Sequence, residues 1–112
     1  MKPYLSLLIL FAGCQTQPPE TPRLTPTELY RLHCSGCHGD GSGNGHIAST
    51  LKVRPRNLKH KEWQSSVSDE HIKNVIRDGG KPPKLSSEMP SFASKLTKTQ
   101  INELAQYIRR LR

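Results

Sequence analysis

The five residues Cys34-Ser35-Gly36-Cys37-His38 constrain this chain more than any other stretch. On a helical turn, residues three apart share a face, so two thiols at this spacing can add to two vinyl groups on one edge of a porphyrin. His38, directly after, comes under the ring and offers an imidazole nitrogen to the iron. C-x-x-C-H is accordingly the attachment signature of a c-type haem. The alternatives ask for things the chain does not offer. A zinc site needs four ligands, and Cys34, Cys37 and His38 supply three, with two of them adjacent and no second C-x-x-C. A thioredoxin-like dithiol belongs in a βαβ context, which is missing. A structural disulfide would leave His38 incidental.

Composition supports a cofactor-centred fold. In 112 residues there is room for one domain, and only 33% of them are apolar and 5% aromatic. That is thin material for a self-sufficient core in so short a chain, and a buried haem would supply apolar mass. The formal net charge is +8, which suits nucleic acid, an anionic membrane surface or an acidic protein partner. No nucleic-acid motif interleaves the charges, so nucleic acid is set aside.

Two of the three cysteines belong to the motif, and Cys14 needs its own explanation. Lys2 and the short apolar run from Leu5 to Phe11 read as a signal peptide over residues 1–13, too short to span a bilayer. Leu10-Phe11-Ala12-Gly13-Cys14 resembles the lipobox of bacterial lipoproteins, with Phe11 where that family usually has leucine. The resemblance implies cleavage before Cys14 and acylation of that residue, giving a stable membrane anchor. An ordinary signal peptide with a chance cysteine is the alternative, and would leave a soluble periplasmic protein. Residues 14–24, with Pro18, Pro19 and Pro22, form a tether. At about 3.1 Å per residue in polyproline geometry it reaches roughly 30 Å. The folded domain is expected over residues 25–112.

Within that domain the punctuation is helical. Thr25-Pro26-Thr27-Glu28 is a capping box with proline at the first helical position, and its helix runs through Leu29 and Tyr30 into the motif. Gly39, Gly41, Gly43 and Gly45 then break regularity in a loop that is either flexible or shaped for close backbone approach. Residues 52–63 read as irregular, with Pro55 restricting Arg54. Ser68 caps a helix through Asp78 whose inward face is Ile72, Val75 and Ile76, ended by Gly79-Gly80. Thr97-Lys98-Thr99-Gln100 is a second capping box. It launches a last helix with Ile101, Leu104, Ala105, Ile108 and Leu111 at helical spacing. No strand pattern and no repeat is present.

A six-coordinate iron needs one more ligand. Met89 is the only methionine besides the initiator and sits in a proline-bracketed loop between two helices. A thioether is a soft ligand that raises the potential of a histidine-bound haem. A gap-filling core methionine is the plainer alternative. His46, His60 and His71, and less plausibly His33, are rival ligands.

Residues 34–39, Pro55-Arg56-Asn57-Leu58, residues 72–80, Met89-Pro90 and a closing helix with Leu104, Tyr107 and Ile108 together resemble a class I cytochrome c. These are small monohaem carriers of bacterial respiratory chains, and the likeness covers about residues 25–112. It implies an all-α fold of three to four helices wrapped on one covalently bound haem c, with the first and last helices crossing. It implies His38 as proximal and Met89 as distal ligand. Pro55 falls where a family proline offers its carbonyl to the proximal histidine, and Trp63 is expected near the haem, bonding a propionate. Tyr30 and Tyr107 are expected to meet at the helix crossing, although Pro26 stands where the family has a small residue.

With both axial positions filled no substrate can coordinate, so the expected function is electron transfer. The expected partners are redox proteins with acidic patches, met by Lys52, Lys59, Lys81 and Lys84, and a membrane reached through the lipid anchor on its periplasmic side. A haem subunit fixed in a larger redox complex is the first alternative. An open-site peroxidase or gas sensor, should Met89 stay unbound, is the second.

Overall fold

The computed structural model describes residues 13, 21–82 and 84–111. The expected signal peptide apart from Gly13, the expected lipidation site Cys14 and most of the tether lie outside the described residues. The tether's last residues, 21–24, are exposed and irregular. Among the described residues the fold is all-helical: α1 (Pro26–His33), α2 (Ser35–His38), a 3₁₀ turn (Ala48–Thr50), α3 (Lys61–Ser66), α4 (Asp69–Asp78) and α5 (Lys98–Arg110). No helix among them is long and apolar enough to cross a membrane.

The caps read from sequence form as expected. The Thr25 hydroxyl accepts from the Glu28 N–H while the Glu28 carboxylate accepts from the Thr25 N–H at 2.8 Å. Thr97 and Gln100 exchange the same pair of bonds at the start of α5. Ser68 Oγ accepts from His71 N–H at 3.0 Å. Each box satisfies donors that the first helical turn would otherwise leave unpaired. α4 ends at Gly79, whose φ of +77° only glycine adopts cheaply.

α5 is the keystone. It packs against both α1 and α4, burying Ile101, Leu104, Ala105 and Ile108 against Leu29, Tyr30, Ile72 and Ile76. Leu29 and Leu104 are fully buried. Tyr30 and Tyr107 meet at the α1–α5 crossing with ring centroids 5.0 Å apart, so Pro26 at the start of α1 does not prevent close approach. Phe92 and Leu96, in the loop before α5, complete the core.

The structure departs from the sequence reading at α3. Residues 61–63, the end of the stretch expected to be irregular, instead begin a helix of under two turns that runs on to Ser66. Its N-terminal residue His60 gives no side-chain cap, so local signals are absent. Tertiary bonds hold it instead: Gln64 Nε2 donates to the carbonyls of Leu58 (2.6 Å) and Ile108 (3.0 Å). The glycine loop is likewise not merely flexible. The N–H groups of Gly41 and Gly43 donate to His38 O, and that of Gly45 to Cys37 O, at 2.9–3.0 Å.

Candidate haem site

α1 delivers the motif. Its last turn is closed by Cys34 N–H donating to Tyr30 O at 2.8 Å, and the chain re-enters helix as α2. His38 therefore stands at the end of a short helix, and Gly39, at φ +58°, turns the backbone away. The Tyr30 hydroxyl donates to Gly39 O at 3.1 Å, anchoring this turn to the core. Burial favours the neutral phenol and pushes its pKa up.

The motif opens onto a cavity of about 850 Å³, within the roughly 300–1,000 Å³ usual for cofactor sites. Cys34, Cys37 and His38 line it together with Met89, Trp63 and Pro55. The sequence-predicted ligands, separated by 51 positions from His38 to Met89, are thus brought to one space. Cys34 and Cys37 are both half-buried free thiols, and burial pushes the Cys34 thiol up to about 12.

His38 is fixed by its second nitrogen. Nδ1 lies 3.0 Å from the Arg56 carbonyl. A carbonyl only accepts, so Nδ1 carries the hydrogen and Nε2 keeps the lone pair a metal requires. Burial holds the imidazole below its ordinary pKa, with the Arg56 bond opposing, which keeps the ring neutral. Here one expectation is corrected. The carbonyl that meets His38 belongs to Arg56, not to Pro55. Pro55's own carbonyl is turned toward Gly43, where a side chain would collide with it. Pro55 still lines the cavity, while the orienting bond comes one residue later.

Met89 is half-buried on the cavity wall. Its main chain is tied to the end of α4, with Gly80 N–H donating to Met89 O at 3.0 Å. The following loop is tied there too, through Phe92 N–H to Ile76 O (3.1 Å) and Ser91 Oγ to Arg77 O (2.6 Å). Trp63 is half-buried, packed on the core and facing the same cavity.

The rival histidines separate by position. His60 pairs at the surface with Glu62 (3.2 Å) and His46 lies beside Gly36; neither lines the cavity. His71 and His33 do line it. His33 sets its ring edge-on against Phe92 at 5.6 Å. Among the described residues no group of three or more His, Cys, Asp or Glu side chains is arranged to hold a metal ion.

Sequence reasoning missed Glu88. Its carboxylate accepts from the N–H groups of Lys52 (3.1 Å) and Val53 (3.2 Å), which hold its pKa below the usual carboxylate value, the Lys52 bond contributing most. The one available signal is its isolation: it is the only acidic residue between Asp78 and Glu103 in a basic chain.

These residues fit a haem. Two thiols at the attachment spacing, a neutral imidazole with its free nitrogen defined by a carbonyl bond, and a thioether share one apolar-walled space. Comparison with known proteins agrees. Residues 22–108 match the family model described as cytochrome c oxidase, cbb3-type, subunit III. The solved structure "KustC0563 c-type cytochrome" is 32% identical with a TM-score of 0.62, over 80% of this chain and 99% of that one. A tyrosine-to-phenylalanine mutant of that protein matches at 30% identity, with the same TM-score, over 80% of this chain and 100% of its own. Cytochrome c6C from Synechococcus sp. PCC 7002, 24% identical with a TM-score of 0.55, shares the fold over 76% of this chain and 90% of its own. Comparison with curated proteins gives no significant match. With the family model spanning most of the chain and the motif, cavity and fold in accord, the chain belongs to the cytochrome c family that this model describes, and is a c-type cytochrome domain.

Proposed function

We propose that the protein is a single-electron carrier with one haem c, attached through Cys34 and Cys37 and held axially by His38 and Met89. The observation that carries this reading is the convergence of all four side chains on one cavity. Haem, when bound, supplies one-electron chemistry between ferrous and ferric iron. The chain's part is to orient His38 through Arg56, to bring Met89 to the cavity wall and to surround the site with apolar side chains such as Ile72 and Leu58. Trp63 is assigned to a propionate through its indole N–H. Cys14 is assigned as the lipid anchor on the periplasmic side of a bacterial membrane. Basic side chains at the cavity, Arg54 and Lys84 among them, and the exposed Lys52 nearby would steer the domain to acidic patches on redox partners.

The test is the optical spectrum of the purified ferric protein. A weak near-infrared band from methionine sulfur on haem iron, lost in Met89→Ala, is the expected result. Its absence in the native protein would remove Met89 as ligand and reopen His33 and His71.

A second reading is favoured by the family match: the domain is a fixed haem subunit of a larger redox complex, as the matched family's description names a subunit. Co-purification of a stoichiometric partner after mild detergent extraction would select it, and a lone monomer would select the free carrier.

A further inference from the structure

We propose that Glu88 is a positioning residue that holds Met89 in place by gripping the main chain of Lys52 and Val53. The proposal rests on the reading of Met89 as distal ligand and adds what keeps it there.

The geometry is a clamp across two loops far apart in sequence. Glu88 Oε1 accepts from Lys52 N–H at 3.1 Å and Oε2 from Val53 N–H at 3.2 Å. Ser86 closes the near side: its hydroxyl donates to Oε2 and accepts from the Glu88 N–H, both at 3.2 Å. Charge-assisted bonds to consecutive N–H groups are stronger and more directional than neutral ones. The residue that follows is Met89, whose carbonyl is tied by Gly80 on the other side. The Met89 main chain is therefore held from both flanks, by the end of α4 and by the 52–53 segment.

The gripped segment has a second connection. Three residues beyond Val53, the Arg56 carbonyl accepts the bond from His38 Nδ1. A five-residue strap, 52–56, thus runs from the support of the proximal histidine to the support of the candidate distal methionine. Releasing Glu88 frees one end of that strap and one flank of Met89 together. Groups that orient a metal ligand are typically worth about 10–100-fold in affinity when removed. A ligand that is less well held yields more readily to a competitor.

The experiment titrates the ferric holoprotein with imidazole and follows the near-infrared sulfur–iron band. Glu88→Ala is expected to weaken the band and raise imidazole affinity roughly tenfold. Glu88→Gln, which keeps an oxygen acceptor for one N–H, should fall between, and it serves alone if Glu88→Ala does not fold. Thr97→Ala, which removes the cap of α5 at a residue that does not line the cavity, is the control and should leave imidazole affinity unchanged. A native band and native affinity in both Glu88 variants would overturn the proposal while leaving Met89 as ligand. An equal rise in Thr97→Ala would overturn it as general loosening. If the native protein lacks the band and Met89→Ala does not alter imidazole binding, the ligand assignment itself fails, and the proposal with it.

Discussion

Arg109 Nε donates to Asp69 Oδ1 at 2.7 Å, and the same guanidinium reaches the carbonyls of Gln64 (2.5 Å) and Val67 (2.6 Å). One side chain of α5 thereby fastens the end of α3, the turn after it and the start of α4. Arg109→Ala strands two carbonyls, and we expect a loss of about 2–3 kcal/mol, since such bonds to a charged donor are worth that much. Arg109→Lys cannot reproduce the fork and should recover only part. Denaturant unfolding of the three proteins checks this.

The same pair sets a pH dependence. The Arg109 guanidinium holds the Asp69 carboxyl below its usual pKa, and Arg77 does the same for Asp78. A carboxyl depressed in the folded state contributes stability above its unfolded value, about 3.9. That contribution is lost as pH falls through the lower folded value, because the unfolded chain then binds more protons. Unfolding midpoints should be flat above about pH 5 and fall below about pH 4 with respect to these groups. Asp69→Asn should flatten part of that acid limb.

At Gly79 the backbone has φ +77°, and a Cβ there would sit 2.7 Å from Met89 O and 2.8 Å from Pro90 C. Gly79→Ala therefore meets both the left-handed penalty, about 1–2 kcal/mol, and a backbone contact that cannot swing away. We expect lower stability and a shifted 89–91 segment, read as a lower unfolding midpoint together with a weaker sulfur–iron band.

The basic residues around the cavity are not equivalent. Lys59 is 3.6 Å from Asp40 and Lys81 3.8 Å from Asp78, whereas Lys84 is exposed at the cavity wall. Lys84→Glu should slow electron transfer to an acidic partner several-fold at low salt, with the difference shrinking as salt rises. Lys98→Glu, on a residue that does not line the cavity, should change little. Rates measured across an ionic-strength series decide it, and a flat native response would reject electrostatic docking.

What could be read from sequence was local. Thr25, Ser68 and Thr97 announce their helices within three residues, and the stripe from Ile101 to Ile108 carries its own period. The five-residue motif states its chemistry without help from the fold. What stayed hidden joins distant positions: Glu88 to Lys52 and Val53, Arg109 to Gln64 and Val67, Gln64 to Ile108. No short-range pattern encodes such bonds. The Pro55 expectation came from a family pattern and missed by one residue, because which carbonyl turns inward depends on how the strap is seated against Gly43. α3 escaped notice for a related reason, since its support comes from Gln64 and Arg109 rather than from a cap.

The place of α5 in the packing has a consequence for how the fold closes. α1 and α4 bury their apolar faces against α5, a helix distant from α1 in sequence. Without residues 98–110, Leu29 and Ile76 have no Leu104 or Ile108 to close over them. The thirteen residues of α5 thus act as a clasp between the motif-bearing α1 and α4, so that loss of this one helix would uncover both at once.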